Sequence, residues 1–376
     1  MNHIRLKTLL PTGISLIALT SYSFADTDNA QMRNLENRVT SLEQKRGASG
    51  VINPPARPEV KQGANLFITG DLLVWQAHED GLPLAILNDN FALNLRDSNV
   101  IGLDWAWNAG CRVGVGYNTP HDGWDLSATW LHFNTHANRH KKAHGSSVEW
   151  PTLTHPAEGV SGGAAVGEDA FEKTKAHWTM NLNQLDLDLG REYFVSKWLT
   201  LRPHVGMRTA WLHQGLNVHY NRASDLAGSF TPGIDDYISM KTHFWGIGLE
   251  TGLDTQWGLG GGWSLYGNAA FAFLYGFHQP SREDEVRDGV KFNWVDMDWS
   301  FRTTRAIADL ELGLRFDSWT NDERLHFRIQ TGWEHHVYFS QNQFVRFVDD
   351  SAIGDFVSNQ GDLTLQGWTL SMRLDF

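Results

Sequence analysis

"WGIGLETGLDTQW", residues 245–257, decides how this chain is read. Trp245, Ile247, Leu249, Thr251, Leu253, Thr255 and Trp257 alternate with Gly246, Gly248, Glu250, Gly252, Asp254 and Gln256. A period of two is the signature of a strand, here one with an apolar face ended by tryptophans and a polar face rich in glycine. Such a strand suits two different solvents on its two sides. The pattern recurs in "DWAWNAGCRVGVGYN", residues 104–118, where Trp105, Trp107, Ala109, Cys111, Val113, Val115 and Tyr117 share a face. It recurs again over 263–278 and 325–339, and in the closing "GWTLSMRLDF", residues 367–376, whose Trp368, Leu370, Met372, Leu374 and Phe376 form the apolar side.

Working outward, ten such strands are predicted, at roughly 66–77, 103–118, 123–137, 177–193, 197–213, 241–257, 263–278, 301–317, 324–340 and 364–376. In the fourth, Met180 and Leu182 have the opposite parity from Leu185, Leu187 and Leu189, which predicts a β-bulge near Asn183, a misplaced strand boundary accounting for it equally well. Short turns, "TPHD", "VSK", "GLGGG" and "SWTNDE", alternate with long loops near 78–102, 138–176, 214–240, 279–300 and 341–363. An up-and-down barrel in an outer membrane has this asymmetry, tight turns on the periplasmic side and long loops outside. In hydrocarbon every unpaired backbone group costs several kcal/mol, so strands survive there only in a sheet that closes on itself. The expected fold is therefore all-β: a transmembrane up-and-down antiparallel barrel of about ten strands (range 8–12), preceded by a short helical segment. The last strand must pair with the first, and its alternating row ending on Phe376 is also the signal that barrel-assembly machinery would read.

Composition agrees. Over 376 residues the hydrophobic content is 41% and the mean hydropathy −0.36, too polar for a bundle of membrane helices, while Trp reaches 17, Phe 20 and Gly 36. One cysteine, Cys111, excludes an intramolecular disulfide framework and a cysteine zinc site, and its parity places it toward lipid as a small hydrophobe. A net charge of −12 argues against nucleic acid as partner.

Residues 1–25 read as a signal peptide: Arg5 and Lys7, an apolar run from Leu9 to Leu19, then "SFA" ending at Ala25. Residues 26–46 read as a short heptad helix with Met32, Leu35, Val39 and Leu42 on one stripe, a candidate for self-association, with a trimer fitting porin habit. Residues 47–65, with Pro54, Pro55 and Pro58, read as a linker, and 66–376 as the barrel.

The polar faces carry ions of both signs, which fit neither lipid nor a dry core, so a wet, ion-paired lumen is expected. The pore-lining candidates are Arg112, Asp186, Asp188, Arg202, Arg208, Glu250, Asp254, Asp309, Glu311, Arg315, Arg328 and Glu334. Glycines at 110, 114, 116, 206, 246, 248, 252 and 332 either clear a passage or relieve crowding in a tilted sheet. Ten strands lie nearer the filled eight-stranded barrel than the open 16 to 18 of wide porins, which favours slow, weakly selective diffusion of small hydrophilic solutes.

The blocks "GDLLVWQAHEDGL" (70–82), "RVGVGYNTPHDGWDLSATW" (112–130) and "LDLDLGREYFVSKWLTLRPHVGMR" (185–208), with the terminal strand, resemble the Legionella-type major outer membrane protein family of Gram-negative and chlamydia-related bacteria. The resemblance implies an outer-membrane barrel acting as a porin, leaves open contact with host molecules through the loops, and brings no catalytic motif.

Two other function classes stand beside the porin. A surface protease or lipase would draw on Asp235, Asp236, His335 and His336, but adjacency in sequence supplies no nucleophile with a base in reach, and no enzyme is expected. An adhesin or structural barrel would use the loops. Loop two carries His136, His140, His144 and His155, which read as solvated histidines, and the acidic stretches 281–285 and 347–355 read as a solvated rim, so no metal and no cofactor is expected. The expected partners are outer-membrane lipid and lipopolysaccharide, the assembly machinery and copies of the chain.

Overall fold

The computed structural model describes residues 34–36, 38, 53–88, 98–120, 122–143, 147–153, 171–222, 235–288, 290–320, 322–347, 356–358 and 360–376. Ten antiparallel strands form a closed barrel: β1 Leu66–Glu79, β2 Trp107–Asn118, β3 Trp124–Lys142, β4 Phe171–Arg191, β5 Leu199–Arg222, β6 Asp235–Gly260, β7 Trp263–Asp288, β8 Phe301–Thr320, β9 Leu325–Asn342 and β10 Gly361–Asp375. Each strand pairs with its sequence neighbours, and β10 pairs with β1 from Phe67↔Asp375 to Glu79↔Leu363. The seam is extended by the backbone of Phe376, whose N–H donates to Leu66 O at 2.9 Å while its carbonyl accepts from Ala64 and Leu66. Followed once around, the registers return to the starting strand shifted by about twelve residues, so the strands tilt steeply and the Cα wall has a radius of about 9–10 Å.

The short-turn ends lie within three residues of their predicted positions; on the long-loop side β2 begins at Trp107, after the two-residue strand Asp104–Trp105. The long-loop ends reach further than predicted: β5 runs to Arg222, β6 begins at Asp235 and β7 ends at Asp288. Their extra length was hidden because the polarity of the alternation reverses. Along the lower part of β5, Val205, Met207 and Trp211 are exposed on the outer face; beyond Trp211 it is Leu212, Leu216, Val218 and Tyr220 on the inner face that are buried. β4 behaves in the same way. Leu187 and Leu189 are exposed outward, whereas Trp178, Met180 and Leu182 are buried inward. The predicted bulge near Asn183 is therefore a misreading: β4 stays in unbroken register with β3 and β5 through Asn183, and the parity change marks the height at which the apolar face changes sides.

This height has a physical cause. Outward-facing Trp107, Trp211, Trp245, Trp333 and Trp368 ring the barrel at the long-loop edge of an apolar band that includes Leu249 (69% exposed) and Leu312 (63%), and Trp198, Trp257 and Trp263 edge its other side. Such belts mark the two lipid–water interfaces. Within the band lipid takes the apolar side chains, Cys111 among them; above it the outer face meets water, and apolar side chains turn inward as in a soluble barrel. The outcome is a large buried cluster inside the long-loop half, built from Leu73, Trp75, Phe133, Trp178, Leu182, Leu212, Phe244, Leu274, Ile307, Leu365 and their neighbours.

Parts of the long loops fold into this cluster. Ala85–Asn88 pairs with Asn99–Ile101 and with Val148–Pro151, and Leu82, Leu84, Ile101, Leu103 and Leu153 join the core, with Tyr220 Oη donating to Leu84 O at 2.5 Å. Glu149 in this cap is fully buried, and burial raises its carboxyl above the ordinary glutamate value. At the opposite rim, residues 53–65 lie against the turns, through a Pro55↔Tyr193 bridge and Arg57 Nη1 donating to Trp124 O at 2.8 Å. Of the heptad stripe only Leu35 is described, 40% exposed; Met32, Val39 and Leu42, like residues 1–25, lie outside the described residues.

Candidate functional site

Below the apolar cluster the lumen is charged, because inward positions there alternate with the lipid-facing row and cannot themselves meet lipid. A cavity of about 290 Å³ is lined by eleven of the twelve predicted residues, Arg112, Asp186, Asp188, Arg202, Arg208, Asp254, Asp309, Glu311, Arg315, Arg328 and Glu334. The twelfth, Glu250, sits beside it on Arg208. A smaller space of about 150 Å³ continues toward the short turns past Thr200, Gln256 and Arg373.

The charges are paired through the lumen and not only along the wall. Arg112 donates to Asp71 at 3.0 Å and to Glu334 at 2.7 Å. His336 bridges Glu334 (2.9 Å) and Asp309 (2.7 Å). Arg208 then reaches Asp309 at 2.5 Å, Asp186 at 2.9 Å and Glu250 at 2.7 Å, and its side chain is 5% exposed. Since β5 and β8 are not neighbours in the sheet, the Arg208–Asp309 pair crosses the interior. A second tier lies nearer the turns: Arg202 joins Asp125 (2.5 Å) to Asp254 (2.9 Å), Arg328 holds Asp317 (2.8 Å), and His326 links Asp317 to Asp375. Glu311 takes neutral donors, Tyr266 Oη at 2.6 Å and Asn268 Nδ2 at 2.8 Å, while Arg315 donates to Gln330 and Gln256. Buried ions need partners of this kind.

Trp75 separates the two halves. Its ring belongs to the apolar cluster and also lines the charged cavity, 5.5 Å from Phe133 and 4.7 Å from His336, with Nε1 donating to Thr369 Oγ1 at 3.2 Å. The expected charged, ion-paired lining thus occupies the short-turn half only. Across the long-loop half the interior is packed by large side chains, Trp178, Phe133, Phe171 and Phe244 being almost wholly buried. Glu79, a carboxylate buried there beside Trp178, accepts from Trp178 Nε1 at 2.9 Å and Gln214 Nε2 at 2.7 Å.

The glycines of the polar faces mostly accommodate neighbours. A Cβ at Gly116 would lie 2.0 Å from the Phe67 ring, and one at Gly332 would lie 2.5 Å from Tyr266 Oη, so the space they free is already filled. The residues considered for hydrolysis are not assembled: Asp235 and Asp236 start β6 at the long-loop end, His336 is in the mid-lumen network, and His335 precedes it on the other face of β9. Sequence reasoning missed Asp71 and Asp317, although each has the inward parity of its strand; it put His326 and Asp375 on the polar face but not the ion pairs that join them to Asp317, Arg373 and each other.

Among solved structures the chain is similar to the outer membrane protease OmpT of Escherichia coli (12% identity, 84% of this chain and 97% of that one, TM-score 0.42). It is also similar to the Pseudomonas putida toluene transporter TodX (10%, 88% and 93%, 0.30) and to a major outer membrane protein of Thermus thermophilus (11%, 83% and 99%, 0.26). No curated protein sequence matches. Residues 58–376 match the family described by the Legionella pneumophila major outer membrane protein precursor, a span that takes in every barrel strand. The chain belongs to this family and is a β-barrel of the bacterial outer membrane.

Proposed function

We propose that the protein is a gated pore for small hydrophilic solutes and ions, with a charged vestibule on the periplasmic side and an apolar septum toward the outside. The observation that carries the reading is the continuous lining of the 290 Å³ cavity by side chains of both signs within the lipid-embedded part of the barrel. A barrel that served only as an anchor would gain more from an apolar filling there, since ion pairs in a dry interior rarely repay their desolvation. Apolar constrictions gate by excluding water, so conduction requires the septum around Trp75, Phe133 and Leu212 to loosen. The pore carries no catalysis in this reading. Recording from pure protein in planar bilayers tests it: discrete, ion-selective steps of small conductance are expected, and silence across voltage and pH would refute it.

The packed septum favours a second reading, a structural or adhesive barrel whose long hairpins stand above the membrane. Cell attachment that survives in a non-conducting protein, and is lost when the cap strand Val148–Pro151 is removed, would support it. In either reading lipid and lipopolysaccharide cover the outer face, the β10 row through Phe376 is the assembly signal, and the heptad residues Met32, Leu35, Val39 and Leu42 are the proposed trimer contact.

A further inference from the structure

Most of the ionic atoms in the vestibule have hydrogen-bond partners, but one atom in each of three neighbouring side chains does not. Asp188 on β4 and Glu250 on β6 are both in register with Gly206 of β5, one on either side, and His204 lies two residues along β5 on the same inward face. One ligand atom from each of Asp188, His204 and Glu250 lies within 4.8 Å of the other two. Each residue also has a buried atom without a hydrogen-bond partner: Asp188 Oδ1, His204 Nδ1 and Glu250 Oε2. The Glu250 side chain is 4% exposed and that of His204 9%. The nearest further group to His204 Nδ1 is Asp254 Oδ2 at 3.8 Å, itself engaged by Arg202.

Glycines keep the space between them open. A Cβ on Gly206 would come within 2.2 Å of Asp188 Oδ1, and one on Gly252 within 2.5 Å of the His204 ring. Local charge also favours a cation. Asp125, Asp186, Asp188, Glu250, Asp254 and Asp309 face two guanidiniums, Arg202 and Arg208, with His336 also on Asp309, and Arg208 occupies only Oε1 of Glu250. Two buried carboxylate oxygens and an imidazole nitrogen, each without a hydrogen-bond partner, cost several kcal/mol unless a cation or water completes them.

We propose that Asp188, His204 and Glu250 form a binding site for one divalent transition metal ion, with zinc as the probe. One imidazole nitrogen and two carboxylate oxygens make a borderline donor set that suits zinc better than the all-oxygen set preferred by calcium or magnesium. Edges between ligands in tetrahedral zinc are about 3.3 Å, so side-chain rotations of about 1 Å close the site, and a vestibule water supplies the fourth position. Ion entry is from the periplasmic side through the charged cavity, which Asp188 and His204 both line.

The test uses the full barrel in detergent, stripped with chelator, equilibrated with zinc chloride and desalted, with bound zinc measured by mass spectrometry and affinity by calorimetry. Wild type should retain about one zinc per chain. Asp188→Asn and His204→Ala should each weaken that binding by about tenfold or more, while His213→Ala, on the outer face, should not. Glu250→Gln is a third arm, used if heat-modifiable gel mobility shows that it folds without its Arg208 pair. Zinc retained at wild-type affinity in both Asp188→Asn and His204→Ala, or no zinc above the level of a denatured control, overturns the proposal. Displacement by equimolar magnesium would overturn the transition-metal assignment. Because the readout is metal content, it stands or falls apart from conductance.

Discussion

Replacing Trp75 by alanine should unseat the septum and weaken the barrel together. The side chain is 1% exposed, packed on Phe133, and its indole N–H donates to Thr369. Burial of an aromatic side chain removes about 150–250 Å² from water, which at about 25 cal/mol per Å² is roughly 4–6 kcal/mol. Tryptophan-to-alanine changes in packed cores cost about 3–5 kcal/mol, and the lost hydrogen bond adds about 1 kcal/mol. A loss of about 4 kcal/mol is therefore expected in urea titrations of the barrel in lipid vesicles, followed by the remaining tryptophans. In planar bilayers the same variant should open more often than wild type, because Trp75 is where the charged cavity meets the apolar cluster. The matched control is Trp211→Ala: this ring stands at the same height but faces lipid, 39% exposed, and its removal should leave open probability unchanged. A stability loss below about 1 kcal/mol, or equal conductance changes in the two variants, would refute the reasoning.

Arg208→Ala removes the one cation shared by Asp186, Glu250 and Asp309; the barrel should lose about 3–5 kcal/mol in the same titration, with most of that recovered when Glu250→Gln is added. Deleting Phe376 removes the three backbone hydrogen bonds that extend the β1–β10 seam, so folded, heat-modifiable barrel should fall several-fold in membranes while soluble aggregate rises. Burial holds the Glu149 carboxyl above its unfolded value, so its contribution to stability is fully present below the ordinary glutamate range and is lost as pH rises through the raised value. Wild type should therefore lose stability relative to Glu149→Gln over that rise, and parallel curves would contradict the assignment. Crosslinking of the full chain, set against a version starting near Gly63, should give trimers only with the heptad residues present.

Strand number, alternation of short and long connections, and the inward placing of the twelve predicted residues, eleven of which line the cavity, were legible because lipid imposes one strict pattern: apolar outside, every second residue. The pattern fails where lipid ends. In β5 the row Leu212, Leu216, Val218, Tyr220 is as regular as the row Val205, Met207, Trp211, yet it faces the opposite way, and parity alone gives no sign of which face a solvent occupies. The switch in β4 at Asn183 was visible as an irregularity, and read as a bulge, when it located the membrane surface. Ion partners such as Glu334 for Arg112 and Asp309 for Arg208 were out of reach for another reason. They join non-neighbouring strands through the lumen, and their geometry depends on tilt and shear, which no single strand encodes.

The division of the lumen is tested most directly by thiol labelling. In a Cys111→Ser background, Thr129→Cys or Ser371→Cys places a thiol in the charged cavity, and Ala210→Cys or Ala272→Cys places one in the apolar cluster. A charged, membrane-impermeant reagent should modify the first pair from the short-turn side and leave the second pair unreacted from either side. Equal labelling of both pairs, or entry to Thr129→Cys from the long-loop side, would contradict a water-filled vestibule closed by an apolar septum.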